Sequence, residues 1–61
     1  MYKLHIEYHI GKSVQTYEHF VASDFSGRFL GEMAMECNNV IAFYVMSLET
    51  GELVAYASKE E

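Results

Sequence analysis

The chain has 61 residues, a mass of 7.0 kDa and a net charge of −5, with 51% hydrophobic and 21% charged residues. That length holds a single domain, residues 1–61, and excludes a multi-domain architecture. Nine acidic residues against four basic ones disfavour direct nucleic-acid binding, which needs clustered Lys and Arg to neutralise phosphates.

A chain this short buries only about 60% of the surface it exposes when unfolded, while ordering costs roughly 1.5 kcal/mol per residue. Cys37 is the single cysteine, so no internal disulfide forms, and no Cys/His spacing fits a structural zinc. A homodimer is therefore expected to supply the missing stability. Without a secretory leader or a long apolar run, the expectation is a soluble cytoplasmic protein with no membrane partner. The acidity serves solubility, and it also permits a basic protein partner such as a DNA-binding groove.

Residues 2 to 10 alternate strictly: Tyr2, Leu4, Ile6, Tyr8 and Ile10 are apolar, whereas Lys3, His5, Glu7 and His9 are polar. That is the period of a half-buried strand. Gly11-Lys12 supplies a two-residue turn in which glycine takes positive φ. Closing Ile10 opposite Ser13 predicts Tyr8 with Gln15, Ile6 with Tyr17, Leu4 with His19 and Tyr2 with Val21 on the core face. His9 with Val14, Glu7 with Thr16, His5 with Glu18 and Lys3 with Phe20 fall on the outer face.

Ser23 or Asp24 is a good N-cap, and the spacing of Phe25, Phe29, Leu30, Met33 and Cys37 predicts a helix that packs this apolar face on the sheet. Gly27 and Gly31 each cost about 1 kcal/mol relative to alanine in a helix. Their spacing is read as close packing of the helix backbone on a strand, with a smooth strip for a second chain as the alternative. Asn38-Asn39 is expected to end the helix in left-handed geometry. The run from Val40 to Met46 is apolar on both faces, which predicts a central strand or one covered by another subunit. Glu49-Thr50-Gly51 closes a second hairpin, and Glu52 to Ser58 returns as the last strand, leaving residues 59–61 as a solvated tail. The expected fold is α+β in the order ββαββ, one helix packed on an antiparallel four-stranded sheet.

Little in the chain points to catalysis. Cys37 is placed in the last helical turn, where the dipole disfavours a thiolate. His5 and His9 lie about 13 Å apart along one strand and cannot share an ion. No Ser/His/Asp set, carboxylate dyad or phosphate loop is present, so no catalytic residue, metal or cofactor is expected. Most of the nine aromatic residues are expected in the core. Phe25 stands apart: in the first helical turn beside Asp24, it is an aromatic flanked by carboxylates, the composition of a protein-binding hot spot. Phe29, one turn on, is expected to be more buried.

Gly11-Lys12, Tyr17-Glu18-His19 on the second strand and Ser23-Asp24-Phe25 opening a helix together resemble the small uracil-DNA glycosylase inhibitors of Bacillus podophages. The resemblance spans residues 4 to 48 with a short gap before the helix. It implies an acidic homodimer in the bacterial host cytoplasm, one that occupies the glycosylase's DNA-binding groove and traps an apolar loop residue between aromatic side chains. The family's aromatic falls on Phe25 and its strand glutamate on Glu18. The glutamate following that Phe is Ser26 here and the tyrosine four residues on is Phe29, so the cage becomes Phe25 with Phe29, and the acidic contact moves to Asp24 or Glu32. The hairpin from Glu49 onward lies beyond the resemblance. The rival reading is a small dimeric phage or bacterial interaction or regulatory protein without DNA mimicry.

Overall fold

The computed structural model describes residues 1–59. Two strands, β1 (Tyr2–Ile10) and β2 (Ser13–Val21), are followed by a helix, α1 (Asp24–Ala34), and two more strands, β3 (Val40–Ser47) and β4 (Leu53–Ser58). One helix packs on a four-stranded antiparallel sheet, as the pattern of elements predicts, and the strands lie in the order β2-β1-β3-β4. The β1–β2 register agrees with the expected one at every pair from Tyr2↔Val21 to Ile10↔Ser13. Both turns use glycine where the backbone turns left-handed, Gly11 at φ 61° and Gly51 at φ 77°. The second hairpin is tied further by Ser47, whose hydroxyl accepts from the backbone N–H groups of Glu49 and Thr50.

The core lies between α1 and the central strands. Leu4, Phe43 and Val45 form its fully buried centre, with Tyr2, Ile6, Met35, Ala55 and Ala57 packed around them. β3 is central, as its two-sided apolarity requires: Phe43 and Val45 face the helix, while Tyr44 and Met46 on the other face are half-buried among their sheet neighbours.

The helix meets the sheet by a face other than the expected one. Its buried residues are Gly27 and Gly31, while Phe25, Phe29, Leu30 and Met33 are exposed. A Cβ on Gly27 would stand 3.0 Å from Val45 Cγ1, and one on Gly31 would stand 2.7 Å from Phe43 Cγ, so both positions are filled from the sheet side. Large residues on β3 and β2 already occupy the interlayer space. A helix bearing Phe and Met on that side would have to ride higher, and the glycines let backbone rest on side chains instead. Backbone packing is thus the reading of the glycine pair that the structure supports.

The helix also ends earlier than its periodicity suggests. Met35 is the C-cap in right-handed geometry, and Cys37 lies beyond the helix as an exposed free thiol. No described non-glycine residue has positive φ, so Asn38 and Asn39 do not end the helix in left-handed geometry. Asn39 instead pins the loop to β1, its carbonyl accepting from His9 N–H at 2.7 Å and its amide donating to the His9 carbonyl at 3.2 Å. Lys59 is held by the body of the protein, its Nζ donating to the Cys37 carbonyl at 2.7 Å, while Glu60 and Glu61 lie outside the described residues.

Candidate protein-binding surface

Ser23 starts the helix, its hydroxyl accepting from Ser26 N–H at 3.1 Å, with Asp24 in the first turn against the positive end of the dipole. That cap fixes the rotation of α1 and, with the glycine face turned inward, sends Phe25 straight to solvent. Phe25 is 69% exposed and Phe29 56%. The two rings run nearly parallel, their centroids 6.4 Å apart and their planes 17° from each other. Phe25, Arg28, Phe29 and Glu32 line one shallow groove. Phe29 is less exposed than Phe25, in the expected order, yet it too faces solvent and is no core residue. The reason is the same glycine packing.

Glu18 sits elsewhere. It lies on β2 opposite His5, on the sheet face away from the helix, so the structure does not bring it together with Phe25, Phe29, Asp24 or Glu32. The expected cross-strand pair is formed there, with Glu18 Oε2 at 3.3 Å from His5 Nδ1. Lys3 Nζ approaches the same oxygen at 3.5 Å, and Glu7 Oε2 lies 3.6 Å from His5 Nε2. The His5 contact, followed by the Lys3 charge, holds the Glu18 carboxyl below its ordinary value. The His5 ring stacks on Tyr44 with centroids 4.5 Å apart and an interplanar angle of 12°. The role of Tyr44 was not apparent from the sequence, because the offset of β3 against β1 depends on an irregularity between Glu7 and Tyr8 that no residue pattern marks.

Among the described residues no group of three or more His, Cys, Asp or Glu is arranged to hold a metal ion, and no helix is long and apolar enough to cross a membrane. Compared with known proteins, the chain matches no family model, no curated protein and no solved structure.

Proposed function

We propose that this chain inhibits uracil-DNA glycosylase by DNA mimicry, using the outward face of α1. The observation that carries this reading is the solvent-facing, near-parallel Phe25–Phe29 pair beside Glu32 on a helix face that the fold does not use. Exposed apolar side chains scattered singly are ordinary, but a contiguous apolar patch rimmed by charge marks a contact surface. In this reading the two rings hold an apolar side chain that protrudes from the enzyme. Asp24 and Glu32 stand where DNA phosphates would lie, and Glu18, on the far face of the sheet, adds only to the overall negative field. A homodimer belongs to the same reading, because the buried core is small and no disulfide braces it.

The test is uracil excision from a duplex by a bacterial uracil-DNA glycosylase with the chain added in increasing ratio. Stoichiometric loss of activity, exclusion of DNA from the complex and loss of inhibition in Phe25→Ala are expected. Undiminished excision at excess chain, or inhibition by Phe25→Ala at wild-type affinity, rejects the proposal. Arg28 in the same groove favours the second reading, an interaction protein whose target is not a basic groove, since its cation opposes one.

A further inference from the structure

We infer that the concavity on the helix-free face of the sheet is a binding site for a guanidinium group, independent of the glycosylase reading. The site follows from the residues that three strands place in two successive rows. In one row Glu7 pairs with Ala42 and Ala42 with Ser58; in the next, His5 pairs with Tyr44 and Tyr44 with Tyr56. Small side chains on β3 and β4 in the first row make a floor, and the aromatic row beside it makes a wall. The result is a concavity of about 270 Å³ lined by these six residues among others.

Its chemistry selects a planar cation. Tyr56, 65% exposed, and the face of Tyr44 not covered by His5 offer aromatic surfaces, to which a guanidinium is attracted and on which it stacks. Glu7 supplies the carboxylate: its side chain is 45% exposed, leaving oxygen lone pairs open to a fork of N–H donors. The wall is preorganised, because His5 is held against Tyr44 by the ring stack and between Glu18 and Glu7 by its two nitrogens. Lys3, on this face, is drawn to Glu18 at 3.5 Å. Neither Lys3 nor Glu18 lines the concavity, which leaves Glu7 as the carboxylate among its lining residues. An ammonium is more strongly hydrated and lacks the flat face that matches the tyrosine wall, so a guanidinium fits better.

The experiment is an NMR titration of the isotopically labelled full chain with N-acetyl-arginine methylamide, with its neutral citrulline counterpart and with free arginine. Saturable shifts of the backbone amides of residues 42–44 and 56–58 are expected with the arginine compound, and binding weaker by about threefold or more with citrulline, which removes one of two paired charges at a half-exposed carboxylate. Glu7→Gln, nearly isosteric and on the surface, is expected to weaken arginine binding to a similar degree, as is Tyr56→Ala, whose side chain is largely exposed. Phe25→Ala is expected to leave it unchanged. Equal affinity of capped and free arginine assigns the site to free guanidinium compounds, and tighter binding of the capped form assigns it to an arginine within a peptide. Shifts that are equal for citrulline, unaffected by Glu7→Gln or absent because another copy covers this face would overturn the inference.

Discussion

Phe25 and Phe43 have the same side chain and opposite surroundings, 69% and 3% exposed respectively. Truncating a buried Phe to alanine costs about 3–5 kcal/mol, enough to unfold a domain of this size, so Phe43→Ala is expected to show no cooperative melt. Phe25→Ala is expected to melt within about 1 kcal/mol of wild type, as surface substitutions do, while losing glycosylase inhibition. Thermal melts of the two variants check the pair. Glu18 gives a pH prediction. Its carboxyl is held below the unfolded value of 4.5 by His5 and Lys3. The folded form is therefore the weaker proton acceptor, and the stability this group contributes is present above that value and lost as the pH falls through the lower folded one. Acid unfolding of wild type is expected to be steeper there than that of Glu18→Gln. Because the pair is exposed, added salt should narrow the difference.

At the scale of elements, the helix is where expectation and structure part. Gly31→Ala gains about 1 kcal/mol of helix propensity but drives a methyl into the buried Phe43 ring, and overpacking of this kind costs about 1–3 kcal/mol. The net effect is expected to be destabilising. Gly27→Ala, which meets the branched end of Val45 at 3.0 Å, should cost less, and urea unfolding of the two variants ranks them. The strands and both turns were legible because period-two alternation and turn glycines are local signals: the whole β1–β2 register follows from where Gly11 sits. The helix's existence and cap were local too. Which of its faces turns inward was not, because periodicity sees an apolar stripe and a glycine pair without knowing that Phe43, Val45 and Val21 already fill the interlayer space. The separation of Glu18 from Phe25 was legible as well, since the hairpin register puts Glu18 opposite His5 on the outer face, away from the core face on which the helix lies. Phe25, Asp24, Phe29 and Glu32 were legible as neighbours through simple helical spacing.

For the whole molecule, its mass of 7.0 kDa and its net charge of −5 each make one outcome measurable. Sedimentation at micromolar concentration is expected to give a homodimer, and a folded species of 7.0 kDa would remove that part of the reading. Association with a glycosylase is expected to be fast at low ionic strength and slower as salt screens the attraction between opposite fields. Arg28 supplies a signed control, for it is the positive charge in the Phe25–Phe29 groove. Arg28→Glu should raise the association rate against a basic target, with stopped-flow mixing as the readout. A slower rate would show that the helix face does not meet a basic groove.

The glycine contact between α1 and the sheet divides the helix into positions answerable to different constraints. Residues 27 and 31 are read by the fold, and Phe25, Phe29 and Met33, all exposed, can be changed with little consequence for it. A library randomised at those three positions should therefore retain a large folded fraction, whereas one randomised at the glycines should not. In a chain this short such decoupling is uncommon, because small cores usually enlist every large apolar side chain they have. Here the helix is free to acquire a new recognition surface without a new core, which suits it both to tracking a changing target and to use as a display scaffold.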